Sequence, residues 1–312
     1  MKGQVLFYHG IPSRLYPGFP YFDRAVPCWL FKKQINAILK FLNPIPTKNL
    51  PESAPIGVNK MIVTFDDGLV SSLKAAQWLA SQGIATVVFI VGEPIFEKKI
   101  PWFCKLGWFV GTARRKRIIY HGIGYDLTNP RGFEEFYQTV IKRVHGLSAS
   151  EIDDEIALLK TILQPERTYP KNDDDFRFAT PEELKKAYSK GVLIGVHGWT
   201  HTPLIGMSQK VLEKEILVTK LAIEDTIGDP CFVMSYPNGA FDNLSYSIVK
   251  HNFEWGFAVK KKANANDKYR YPRVSIGPVS PIKLLLAREL TPVGSAFVEF
   301  KQTLKKFLRR FV

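Results

Sequence analysis

The sequence predicts an α/β fold, a parallel sheet with crossover helices that is either open or closed into a barrel. Three observations carry this. Short apolar runs alternate with amphipathic helical patterns, glycines punctuate the joins, and the side chains able to do chemistry follow the apolar runs. The chain has 312 residues, of which 46% are hydrophobic and 23% charged, enough for a sizeable core. That composition argues against a disordered tail protein, a collagen-like chain or a small disulfide scaffold.

The elements follow in order. Residues 5–8 form a short apolar strand that ends at His9. Residues 61–65 (MIVTF) have the pattern of a buried strand. Residues 72–82 follow as a helix with Leu73, Ala76, Leu79 and Ala80 on one face, and Gly83 stops it. Residues 84–91 (IATVVFIV) form the next strand, closed by Gly92. Between about residues 93 and 175 the alternation breaks, which predicts an insertion. It holds an aromatic run (PWFCKLGWFV), a basic run at 114–117, helices near 132–145 and 150–163, and a polar loop NDDDF at 172–176. The alternation then resumes. Thr180-Pro181-Glu182-Glu183 is a capping box with proline at the first helical position, its helix stops near Gly191, and residues 192–196 form a strand. A third unit starts at Ser208, runs through Leu212, Ile216, Leu221 and Ile227, stops at Gly228 and leads into CFVMSY at 231–236.

Four segments at strand ends draw attention. Thr64-Phe65-Asp66-Asp67-Gly68 puts two carboxylates side by side, costly to keep ionised unless a cation or proton relieves them. Taken alone, it also reads as a strand-ending turn. His197-Gly198-Trp199-Thr200-His201 spaces two imidazoles four residues apart, which suits two ligands on one metal. With one carboxylate they would leave coordination positions open for water and substrate. Ser235-Tyr236-Pro237-Asn238-Gly239 is by itself a strong turn, and an isolated His9 by itself is a structural histidine. Their common placement after strands favours a site, because parallel α/β folds gather active-site residues at the C-terminal ends of their strands.

On these residues the sequence resembles the polysaccharide deacetylases of carbohydrate esterase family four. Residues 64–68 match that family's T-F-D-D-G motif in full. Residues 197–201 match its H-[S/T]-x-x-H motif except at Gly198, and Pro237-Asn238-Gly239 fits the Pro-x-Gly of its third motif. The resemblance covers roughly residues 5–92 and 176–276. It implies an irregular (β/α) barrel of the polysaccharide deacetylase type with a helical insertion. Residues 1–290 would be barrel, and 291–312 a basic amphipathic C-terminal helix.

The resemblance further implies that Asp67, His197 and His201 hold a divalent metal, zinc first. Asp66 would be the general base that takes a proton from an attacking water, and a backbone N–H near Asn238 would sit at the oxyanion position. Two departures from the family pattern shape the remaining roles. Ser235 stands where an arginine often orients the base, and Arg273 is the candidate to supply that guanidinium from another strand. The late Leu-x-His motif is not evident. His9 is the candidate acid, since a Tyr-His end to the first strand occurs in a subgroup acting on exopolysaccharides.

The expected activity is hydrolysis of a carbon–nitrogen bond other than a peptide bond, removing N-acetyl groups from an acetylated sugar or glycan intermediate in envelope or exopolysaccharide metabolism. A C–N hydrolase on a small amide and a catalytically silent glycan-binding or membrane-associated homologue remain alternatives.

The net charge of +14 favours anionic partners. Much of it lies in residues 114–117 and in the tail, where Phe297, Phe300, Leu304, Phe307, Leu308 and Phe311 recur at helical spacing among Lys301, Lys305, Lys306, Arg309 and Arg310. Such a helix either lies on anionic lipid or packs on the barrel with a solvated basic face. No nucleic-acid motif accompanies the charge, so nucleic acid is not an expected partner. Three widely spaced cysteines argue for a reducing compartment. The initial apolar run is too short for a signal peptide, and no run approaches the roughly 18 apolar residues of a membrane span. The expected location is cytoplasmic, with the inner face of the membrane as the place a lipid-bound tail would hold it.

Overall fold

The computed structural model describes residues 3–14, 25–46, 50, 56–144, 147, 149–259 and 263–287. The tail at 291–312 lies outside them. Parallel strands build the barrel: β1 (Gln4–Tyr8), β3 (Lys60–Phe65), β4 (Thr86–Ile90), β7 (Leu193–Val196), β8 (Val233–Ser235) and β9 (Trp255–Ala258), with the short β2 (Asn43–Pro44) beside β3. Closure is irregular. β10 (Tyr271–Pro272) pairs with β9, and one residue later β11 (Val274–Ser275) pairs with β1. A single five-residue stretch therefore joins the two edges, with Arg273 at the switch between its neighbours.

Alternate strand residues face opposite ways, and both faces are buried, so the strands read as continuous apolar runs. One parity (Val5, Ile62, Val87, Leu193, Val233, Trp255, Tyr271) fills the barrel. The other (Leu6, Val63, Val88, Ile194, Met234) packs outward under the helical layer. That layer includes α1 (Cys28–Ile38), α2 (Val70–Ser81), α6 (Pro181–Ser189), α7 (Gln209–Glu213), α8 (Thr219–Ile227) and α9 (Asn243–Asn252), with α10 (Pro281–Ala287) after closure.

The expected stops hold. Gly83, Gly191 and Gly228 lie at φ 74°, 91° and 77°, and the Thr180–Glu183 capping box is formed in both directions. Gly92 ends its strand for another reason: a Cβ there would come within 2.3 Å of the Trp199 ring. Leu221 is a correction. It is exposed, and Thr219 and Ile223 take the inward positions between Ile216 and Ile227, which three- and four-residue steps from Ile216 require.

The insertion contains α3 (Trp102–Gly111), a hairpin of β5 (Arg117–Tyr120) and β6 (Ile123–Asp126), α4 (Pro130–Val144) and α5 (Ala149–Leu163). These elements share an apolar cluster that includes Phe103, Leu106, Phe136, Val140 and Leu159. The aromatic run is thus core more than surface. Residues 172–176 are less polar in place than in sequence: Phe176 is buried, and Asp175 is buried while accepting from the Ser13 N–H (2.8 Å) and hydroxyl (2.7 Å). Residues 114–117 are exposed. Among the described residues, no helix is long and apolar enough to cross a membrane.

Candidate active site

The inward parity of the strands carries straight into the site. Val5, Phe7 and His9 follow one another at two-residue steps, as do Ile62, Thr64 and Asp66; Leu193, Gly195 and His197; Val233 and Ser235; and Tyr271 and Arg273. The last member of each series lies at the C-terminal mouth of the barrel, where apolar filling gives way to polar groups.

Arg273 organises one half. Its Nη1 and Nη2 donate to the two oxygens of Asp66 at 2.7 and 2.8 Å, a bidentate pair buried on both sides. Nη2 also donates to Ser235 Oγ (2.6 Å) and Nη1 to Thr64 Oγ1 (3.2 Å). The guanidinium stacks over Phe7 (4.4 Å to the ring centroid) and Phe89 (5.4 Å), which fixes its plane. Burial of Asp66 opposes its ionisation. That opposition is the largest single influence, but the charge of Arg273, the charge of His197, the Arg273 hydrogen bonds and His9 together outweigh it and hold the carboxyl well below the usual carboxylate range.

The other half converges on a small volume. Ligand atoms of Asp67, His197 and His201 all lie within 4.8 Å of one another. Asp67 Oδ1 is 3.5 Å from His201 Nε2 and 3.8 Å from His197 Nε2, and Asp66 Oδ2 is 3.6 Å from His197 Nε2. His197 Nδ1 contacts the Ser235 carbonyl at 2.8 Å; the carbonyl can only accept, so Nδ1 carries the proton and donates. In the neutral ring, Nε2 is then a lone-pair acceptor facing a carboxylate. These separations are too long for good hydrogen bonds, yet two ligands each about 2.1 Å from a tetrahedral ion lie roughly 3.4 Å apart. An imidazole whose second nitrogen is tied to a backbone carbonyl is also how metal-binding histidines are oriented. The donor set therefore fits a divalent metal.

Two of these residues have strained backbones, Asp67 at φ 77° and His201 at φ 64°. The loop after β7 is fastened from two sides. Gly92 N–H and Glu93 N–H donate to the carbonyls of Gly198 (3.0 Å) and Trp199 (2.8 Å). The buried Glu215 accepts from the Trp199 and Thr200 N–H groups and from the Thr200 hydroxyl.

The remaining expected residues sit around these two halves. His9 is buried at the end of β1, with its ring 5.5 Å from that of Phe7. Asn238 is exposed in the turn at Pro237–Gly239 with φ 55°. That turn lies beside the loop after β7, with Pro237 3.4 Å from where a Gly198 Cβ would stand. The sequence does not announce Glu215, the Thr64 contact to Arg273 or the Phe7–Phe89 bracket, and it offers Phe103 only as one of an aromatic run. Phe103, on α3 of the insertion, packs its ring 4.5 Å from that of His201. A lone acid among the apolar positions of the helix after residue 208 was the available signal for Glu215.

The polysaccharide deacetylase family model matches residues 55–253, running through the insertion that the motif resemblance left out. Among curated protein sequences no match is found. Solved structures share the fold at low identity. The Streptococcus pyogenes deacetylase PplD, in complex with acetate, aligns at TM-score 0.55 and 16% identity over 91% of this chain and 97% of its own. IcaB from Ammonifex degensii aligns at 0.55 and 13% over 95% and 96%. BC0361, a polysaccharide deacetylase from Bacillus cereus, aligns at 0.56 and 14% over 91% and 68%. By the extent of the family match, this chain belongs to the polysaccharide deacetylase family.

Proposed function

We propose that the protein is a metal-dependent N-deacetylase, with zinc as the metal, acting on an acetylated sugar or glycan intermediate in envelope or exopolysaccharide metabolism. The observation that carries this is the Asp67–His197–His201 convergence beside an arginine-clamped Asp66 at the mouth of the barrel. Zinc held by those three residues would supply Lewis acidity and a lowered pKa for water. Asp66 takes the proton from water as its oxygen attacks the acetamide carbonyl carbon. Each carboxylate oxygen has a second lone pair beyond the one Arg273 occupies, so the clamp leaves Asp66 able to accept. Arg273 trades some base strength for a fixed orientation and a carboxylate that stays ionised. The Asn238 backbone N–H meets the developing oxyanion, and His9 gives a proton to the departing nitrogen as the C–N bond breaks. Acetate and a free amine result.

Residues 1–290 act in this reading as one barrel domain whose insertion walls the metal side through Phe103. A small nucleotide-linked or lipid-linked sugar in the cytoplasm is the proposed substrate class, and three free cysteines support the reducing compartment. The test is metal content together with acetate release on a panel of acetylated amino sugars. Release only from long preformed polymers would exclude the small-substrate reading, and release only from simple amides would favour a general C–N hydrolase. The proposal that residues 291–312 bind anionic membrane is tested by liposome sedimentation of the full chain against one ending at Gly294. Equal pelleting of the two would remove it.

A further inference from the structure

The metal loop is short of one device its family motif normally carries. Gly198 stands where serine or threonine is usual, so no hydroxyl at that position can brace the turn. A buried carboxylate lies beside that position and braces the next two residues instead. Glu215 Oε2 accepts from the N–H groups of Trp199 (2.9 Å) and Thr200 (3.0 Å), and Oε1 accepts from the Thr200 hydroxyl (2.7 Å). A Cβ at residue 198 would lie 3.2 Å from Oε2, and Gly198 has φ 81°, so a side chain there is disfavoured on two counts. Glu215 belongs to a π-helical segment, Lys214–Val218, between α7 and α8. Such wide turns inside helices occur frequently at functional sites.

We propose that Glu215 is a positioning residue for the metal centre, matched to Gly198, which holds residues 199 and 200 so that His201 presents Nε2 to the ion. This rests on the reading of Asp67, His197 and His201 as the metal ligands. Residues 92 and 93 take the acceptors of the loop, and Glu215 takes its donors. The left-handed backbone of His201 is thereby tied to the barrel on one side and to the helical layer on the other. A glutamine keeps the geometry: its amide oxygen can accept from both N–H groups, while its NH2 donates to the Thr200 hydroxyl oxygen. An alanine removes all three contacts.

The test uses the full chain. Zinc affinity is measured by chelator competition for wild type, Glu215→Gln and Glu215→Ala, with amide exchange at Trp199 and Thr200 followed in the metal-free proteins. The expected result is roughly 10–100-fold weaker zinc binding in the alanine variant, the usual scale for groups that orient ligands. Faster exchange at both amides and near-wild-type behaviour of the glutamine variant are also expected. Wild-type zinc affinity in Glu215→Ala would overturn the proposal, as would equal zinc loss in the glutamine and alanine variants. Should the wild type bind no zinc, the metal reading itself fails, and unchanged exchange in Glu215→Ala would separately overturn the positioning role. If the alanine variant does not fold, Glu215→Asp, one methylene shorter, is expected to weaken zinc binding and speed exchange in the same way; wild-type behaviour would overturn the proposal.

Discussion

Asp66 and Asp67 are joined by one peptide bond, yet they meet opposite surroundings. Asp66 continues the inward parity of β3 and finds a guanidinium already in place, with both oxygens paired and the arginine itself held by Ser235, Thr64 and two aromatic rings. Asp67 turns away on a left-handed backbone and faces two imidazole nitrogens at 3.5 and 3.8 Å. The first carboxylate has its counter-charge built into the chain. The second is arranged among acceptors that a bound cation would bring into balance. The pair teaches how adjacent acids in one motif can be given different surroundings, one a built-in guanidinium and the other a donor set that fits a cation.

That contrast can be broken experimentally. The largest effect is expected at the second acid: Asp67→Ala should abolish stoichiometric zinc binding, measured by metal analysis after dialysis, and acetate release with it. Retention of one zinc per chain would show that Asp67 is not a ligand. Asp66→Asn should instead keep zinc while slowing acetate release by roughly 10²–10⁴-fold, the range for loss of a general base. Loss of zinc in that variant would erase the proposed division of labour.

Arg273→Met should leave a buried carboxylate without its partner, at a cost of about 3–5 kcal/mol near neutral pH. The sign follows from the direction of the shift. In the native protein the carboxyl is held below its unfolded value, so Asp66 contributes stability above about pH 4, lost as pH falls through the folded value. Without Arg273, burial, already the largest single influence, loses its main opponent and pushes the carboxyl up, so the deficit should shrink on acidification. Urea unfolding of both proteins at pH 7 and pH 4.5 measures this, and a deficit that grew in acid would contradict it. The smallest effect is expected at Gly198→Ala. A non-glycine residue in the left-handed region costs roughly 1–2 kcal/mol, readable as a modest fall in Tm.

How far the sequence reached depends on the range of each signal. The capping box at Thr180, the helix stops at Gly83, Gly191 and Gly228, and the parallel alternation are local, and short-range chemistry determines them. Asp66 and Asp67 announced themselves because adjacent acids need relief, and the two histidines because their spacing suits one metal. Arg273 could be named only as a candidate, since its partner lies 207 residues away in the chain and is met only through closure of the barrel. Glu215 carried only a faint signal, an acid among the apolar positions of its helix, and its contact with residues 199 and 200 is decided by how that helix packs on the loop after β7.

The sequence by itself determined the alternation of strands and helices, the parity that fills the barrel, and the inventory of acids and histidines at strand ends. These follow from periodicities of two and 3.6 and from residue chemistry, which operate over a few positions. Only the tertiary structure decided which carboxylate would meet a cationic side chain and which would face the imidazoles. That choice is made where β10 and β11 switch neighbours across the closing edge. There, electrostatics acts between groups that the chain itself holds far apart.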